Sequence, residues 1–141
     1  MIVMRLGAES LAFYGAIFTL SGVEREREIA FLAMGDQFLT LLPRPAGAPD
    51  AERHFGLVVD DREAARAALE AQRVPILPGG RLDFRDPWGN RVQVVDYRDI
   101  RFTKAPAVLR GMGLAALEKR AGRSVLYMRS PAGDQVVEAS R

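Results

Sequence analysis

The chain of 141 residues has no cysteine, which excludes disulfides, thiolate metal sites and cysteine nucleophiles. It has one histidine, His54, and one tryptophan, Trp88; only Lys104 and Lys119 are lysines among its 20 basic residues. A Ser-His-Asp arrangement would have to join His54 to Ser10, Ser21, Ser124, Ser130 or Ser140, and none of these stands in a nucleophile-elbow motif. No apolar run approaches the roughly 20 residues that span a bilayer, so no membrane partner is expected. The opening MIVMRLGAES lacks the long apolar core of a signal peptide, and a cytoplasmic location is the default expectation. Neither sign of charge dominates, and the net charge is +2. The arginines run from Arg5 to Arg141 without forming a stripe. Nucleic-acid binding needs a cationic face, so no nucleic-acid partner is expected.

What is present is ordinary for a soluble globular protein, with 48% hydrophobic and 27% charged residues. The length suits one compact domain, or two small modules sharing a core. Periodicity favours the second arrangement. MIVMRL is short, apolar and strand-like. SLAFYGAIFTL (10 to 20) spaces Leu11, Tyr14 and Phe18 as one helix face, with Gly15 on the same side, and ends at Ser21-Gly22. EREREI (24 to 29) alternates in sign and reads as a solvated edge. EIAFLAM (28 to 34) and QFLTLLP (37 to 43) are strand-like, joined by the two-residue turn Gly35-Asp36. PRPAGAPDAER (43 to 53) reads as an exposed linker.

The second half repeats that order. His54 to Val59 is a strand, and Asp60 or Asp61 can cap the helix that follows. That helix, 62 to 72, places Ala64, Ala68 and Leu69 on one side. Val74 to Leu77 is a short strand before Pro78-Gly79-Gly80. Leu82 to Arg85 and Arg91 to Tyr97 are strands joined by DPWGN, where Asp86 bonds forward, Pro87 presets the turn and Gly89 takes positive φ. The pairs Asp60-Asp61 and Asp83-Asp86 are best explained as cap and turn residues. The tail after residue 104 holds helix formers interrupted by Gly111 and Gly113, giving one or two short helices that can cover the sheet or reach a partner subunit. SPAGDQVVEASR at the end reads as flexible or weakly strand-like. Residues 1–104 are thus expected as one domain, with module one over 1–43, module two over 54–97, and a helical extension over 105–141.

Strand alternation divides the faces. Phe55, Leu57 and Val59 form an apolar set for the helix side, which leaves His54, Gly56 and Val58 facing the other way. The same phase groups Arg91, Gln93, Val95 and Tyr97, and, earlier in the chain, Phe38, Thr40 and Leu42. A cleft lined by Phe38, Thr40, His54, Gly56, Gln93 and Val95, with Trp88 at its rim, has the apolar character and few polar points of a small-ligand pocket.

LAFY (11 to 14), GDQFLTLL (35 to 42), HFGLVVDD (54 to 61) and FRDPWGNRVQVVDY (84 to 97) together resemble the vicinal oxygen chelate superfamily, which includes glyoxalase I, bleomycin-resistance proteins, fosfomycin-modifying enzymes and extradiol dioxygenases. The resemblance covers roughly residues 3 to 104. It implies an α+β fold of two βαβββ modules forming a curved mixed sheet around a cleft, with helices on the convex side. It also implies a homodimer, a small-molecule ligand and, in the family's enzymes, a divalent metal. Of the family's ligand positions, this chain matches the histidine with His54, has Gln93 where a glutamate stands, and has Thr40 at the earlier acidic position. The first-strand ligand would fall at or before Met1, and a longer start would supply it. His54 and Gln93 are the candidate metal residues of a vestigial site. An imidazole, an amide and a hydroxyl offset none of a divalent ion's charge, so no cofactor is expected. Two classes of function follow. One is a metal-free binder that sequesters a ligand. The other is a metal-dependent lyase, isomerase or dioxygenase acting on vicinal oxygens. A ligand-free interaction subunit is a third.

Overall fold

The structure, a computed structural model, describes residues 2–3, 8–43 and 48–120. The first half runs β1 (Ile2–Val3), α1 (Ala8–Ile17), β2 (Gly22–Glu26), β3 (Ile29–Met34) and β4 (Gln37–Leu42). The second runs β5 (Phe55–Val59), α2 (Arg62–Ala71), β6 (Leu82–Arg85) and β7 (Arg91–Asp96). A single 3₁₀ turn (Tyr97–Asp99) and α3 (Pro106–Gly111) follow. The ending SPAGDQVVEASR lies outside the described residues.

The fold class is α+β. The strands form two sheets, ordered β1-β4-β3-β2 and β5-β7-β6, instead of the single curved sheet expected. In each, the first strand pairs parallel with the last and the remainder is antiparallel. The expected strand at Val74–Leu77 is reduced to one bridge, Ile76 to Phe84, in the place that β2 takes in the first sheet. Pro75 lacks the N–H a longer ladder would need. At the seam, Gln37 takes the part of a strand neighbour. Its side-chain Nε2 donates to the Val58 carbonyl, and its Oε1 accepts from the Val58 N–H at 3.2 Å. A side-chain amide thus satisfies one residue on the open edge of β5, and backbone pairing stops there.

One core serves both sheets. Tyr14 and Ile17 of α1, with Phe18 just after it, bury against Leu32 and Leu41 of the first sheet and against Phe84 and Val94 of the second. The Phe84 ring lies 6.2 Å from Phe13 and 6.5 Å from Phe18. The hydrophobic effect therefore couples the halves through α1. Gly15, expected on the buried side, is exposed; Ile17 takes that place, three residues after Tyr14. In α2 the buried pair is Ala65 and Leu69, and Ala64 is exposed. Asp61 is the N-cap and accepts from the Glu63 and Ala64 N–H groups at 3.0 Å. β2 is exposed throughout, a charged edge that discourages pairing with another chain.

The DPWGN turn is held from inside the core. Asp86 is buried, and its carboxylate accepts from the backbone N–H groups of Trp88 (3.0 Å) and Asn90 (2.8 Å) and from the Asn90 side chain (2.7 Å). Tyr14, fully buried on α1, donates its hydroxyl to the same carboxylate at 2.8 Å. Burial first, and the Asp86 charge second, push the Tyr14 phenol far above its ordinary value. The buried phenol therefore keeps its proton where the unfolded chain loses it, so this contribution is complete below pH 10 and shrinks as pH rises further. Tyr14→Phe is expected to lower unfolding free energy by about 1.5–3 kcal/mol, the range for a hydrogen bond to a charged group. Wild-type stability is expected to fall above pH about 10 by roughly 1.4 kcal/mol per pH unit more than the variant's. Urea melts at pH 7 and between pH 9.5 and 11 measure both; parallel pH curves for the two proteins would contradict the assignment.

Candidate functional site

The open faces of the two sheets, away from the helices, carry most of the residues expected at the cleft. On β5 and β7, Gly56 pairs with Gln93 and Val58 with Val95, and Gln93 pairs in turn with Asp83 of β6. Gly56, Gln93 and Asp83 thus form one row. Gly56 leaves the row open: a Cβ there would stand 3.7 Å from the Val95 side chain. Phe38 and Thr40 lie on the first sheet, where Thr40 pairs with Phe31. Phe38 is 65% exposed, with its ring 6.3 Å from Phe31. One expected pocket member lies elsewhere, and so does one residue of the expected strand phase. Trp88 packs edge-on against Phe13 of α1 at 6.1 Å, on the core side of its turn. Tyr97 leaves the strand alternation, because β7 ends at Asp96, and is buried in the 3₁₀ turn.

His54 stands just before β5 and is exposed. Its Nδ1 lies 3.1 Å from the Glu52 carbonyl. A carbonyl only accepts, so Nδ1 carries the hydrogen and Nε2 keeps its lone pair in the neutral ring. The segment leading to His54, expected to be a free linker, is tied to the β6–β7 hairpin in its described part. The Asp50 N–H donates to the Gly89 carbonyl at 2.9 Å. Arg85 donates twice to the Asp50 carbonyl, at 2.6 and 3.2 Å, and Arg91 donates to the Ala51 carbonyl at 3.1 Å. Gly89, at φ 89°, is needed here: a Cβ would meet Pro49 at 3.0 Å.

Asp83, expected as a turn residue, is instead a buried ion-pair partner. One oxygen takes Arg91 at 2.6 Å and Arg81 at 3.3 Å; among the described residues the other has no hydrogen-bond partner. This cluster was not legible as a site. The signal available was the spacing of Arg81, Asp83 and Arg91 on one strand phase, once the hairpin register is known.

Another cavity lies elsewhere. A cleft of about 880 Å³ opens at one end of the core, between the C-terminal end of α1, the β3–β4 turn, the start of α2 and α3. It contains none of the seven residues expected at the pocket. Its signal in the sequence was the apolar spacing of Leu109, Met112, Leu114 and Leu117. The two lysines gather beside it. Lys104 pairs with Asp36, and Lys119 sits 3.7 Å from the Tyr97 ring centre while donating to the Tyr97 and Ile100 carbonyls at 2.5 and 2.9 Å. Burial, and then the charge of Lys104, hold the Lys119 ammonium below its ordinary value.

The sequence pattern of the family described as the Glyoxalase/Bleomycin resistance protein/Dioxygenase superfamily matches residues 2–94. The chain belongs to that superfamily. Among solved structures, a lactoylglutathione lyase from Agrobacterium tumefaciens is 22% identical, with a TM-score of 0.56 over 72% of this chain and 93% of that one. A bleomycin resistance determinant encoded on the transposon Tn5 is 17% identical, with a TM-score of 0.55 over 67% and 92%. The fosfomycin resistance protein FosX from Listeria monocytogenes is 11% identical, with a TM-score of 0.57 over 77% and 91%. These likenesses establish a shared fold. No curated protein matches the sequence significantly.

Superfamily membership raises the question of a divalent metal, and the donor chemistry present does not fit one. Among the described residues no group of three His, Asp or Glu side chains could hold a metal. The carboxylate in register with Gln93, Asp83, is already engaged by two guanidiniums. Arg91→Met is expected to cost about 2–4 kcal/mol, because it leaves a buried carboxylate with only the exposed Arg81. The double variant Asp83→Leu/Arg91→Met should recover at least half of that loss in chemical denaturation. Equal losses in both would move the stabilisation to the bond between Arg91 and the Ala51 carbonyl.

Proposed function

We propose that this protein binds a small molecule on the open sheet faces without a metal, as a sequestering member of the superfamily and not as a catalyst. The pocket would use Phe38 and Thr40 from one sheet and His54, Gly56, Gln93 and Val95 from the other. One observation carries the reading. The position that would need a carboxylate is an amide, Gln93, and the adjacent carboxylate is neutralised by Arg91 and Arg81. A divalent cation there would meet neutral donors and nearby positive charge. An apolar, partly aromatic face with an amide, a hydroxyl and an imidazole suits an organic ligand instead. Residues 1–104 would form this binding unit, with 105–141 as an extension, in a cytoplasmic homodimer whose partner covers the apolar face around Phe31 and Phe38.

A second reading, a metal-dependent lyase, isomerase or dioxygenase, is favoured by His54 alone, whose Nδ1 contact leaves Nε2 as a donor. Purified protein is expected to carry no stoichiometric divalent metal, and a chelator should leave its melting temperature unchanged, since a tight site would stabilise the fold by mass action. Gln93→Glu should raise zinc, nickel or manganese affinity measurably in calorimetry. One metal per wild-type chain would put the enzyme reading first. Sedimentation at micromolar concentration checks the assembly, and a monomer would remove the dimer.

A further inference from the structure

The cleft beneath α3 is a feature that residues 2–94 do not build alone. The superfamily match ends at residue 94, whereas Leu109, Met112, Leu114 and Leu117 form one wall of the cleft. Phe18 and Leu57 of the core form the opposite surface. The wall is firmly attached. Lys119 holds the 3₁₀ turn through two carbonyls, and Arg120 pairs with Asp99 at 3.0 Å. The Met112 side chain lies over Gly35, where a Cβ would come within 2.7 Å of it. Gly35, at φ 67°, thus serves both the tight turn and the seating of the wall.

The volume of about 880 Å³ is within the range that small-molecule sites occupy. Its charged groups are unbalanced. Asp36, Asp60 and Asp61 line it, and the single cation that lines it among the described residues, Lys104, is bonded to Asp36. Asp61 spends its carboxylate on the α2 cap. Arg98 donates to the Asp60 backbone carbonyl and pairs with the Asp96 carboxylate at 3.6 Å, and among the described residues no cation pairs with the Asp60 side chain. An apolar hollow with an unpaired carboxylate complements a molecule that is apolar along its body and positive at one end.

We propose that this cleft is a second ligand site, separate from the open sheet faces, for an amphiphile with a cationic amine head. The head lies against Asp60, and the apolar body lies along the α3 wall. The inference does not depend on the function proposed above, because the two sites share no residue.

The test titrates full-length protein by calorimetry with decylamine, decanol and decanoate below their aggregation thresholds. Decylamine should bind, with decanoate at least about tenfold weaker. Asp60→Asn, an exposed change that keeps the fold, should shrink that preference to less than about threefold by removing the charge that creates it. Leu114→Trp, which fills the cleft, should abolish binding of all three, while Phe38→Ala on the open face leaves it unchanged. Three outcomes overturn the proposal: no binding by any probe, equal binding of amine and carboxylate, or binding that is lost in Phe38→Ala but kept in Leu114→Trp. The last would place the amphiphile on the open face and leave the function proposed above standing.

Discussion

The carboxylate of Asp86 is the point on which this structure depends. It closes the DPWGN turn, sets the register of β6 against β7, and receives the hydroxyl of a fully buried tyrosine 72 residues earlier in the chain. A buried carboxylate is costly unless its lone pairs are used, and here four donors use them. The same bond holds α1 over the second sheet, so a helix belonging to one half completes the core of the other. Stability and topology are therefore joined at a single side chain.

From that hairpin the site geometry follows. The register fixed by the turn places Asp83 beside Gln93, and the parallel pairing of β5 with β7 places Gly56 on its other side. Arg85 and Arg91, extending from the two strands of the hairpin, hold the 50–51 backbone and so fix where the chain enters β5 at His54. Polar chemistry on this face is consequently occupied with structure: the Asp83 carboxylate takes Arg81 and Arg91, while Arg85 and Arg91 hold two backbone carbonyls. A superfamily whose enzymes employ a charged metal is represented here by a face whose charges are already paired. The rest of the two open faces carries an amide, a hydroxyl, an imidazole and exposed aromatic surface.

The described part of the C-terminal extension, residues 105–120, alters the molecule in a different way. It settles at the end of the core, where both lysines anchor it through carbonyls, an aromatic ring and Asp36. Residues beyond the superfamily match thereby wall a cleft of about 880 Å³ without altering the strand order.

The elements were legible in the sequence because their signals are local. Alternation in FGLVV and RVQVV, the Asp61 cap, the Gly35-Asp36 hairpin and the Asp86 turn each depend on neighbours a few residues apart. The strand phase, which leaves Phe38 and Gly56 exposed and Thr40, Gln93 and Val95 half-buried, follows from the same short-range pattern. The facing of Gly15 and Ala64 was misjudged because helix rotation depends on what packs against it. Trp88 was misplaced for a similar reason: a turn residue points toward whichever layer receives it, and Phe13 receives it. The division into two sheets at Gln37, the burial of Asp83 between arginines, and the cleft beneath α3 were decided by tertiary structure alone. Each requires side chains from separate segments to meet, and no local periodicity records which distant groups will satisfy one another's charges and hydrogen bonds once water is excluded.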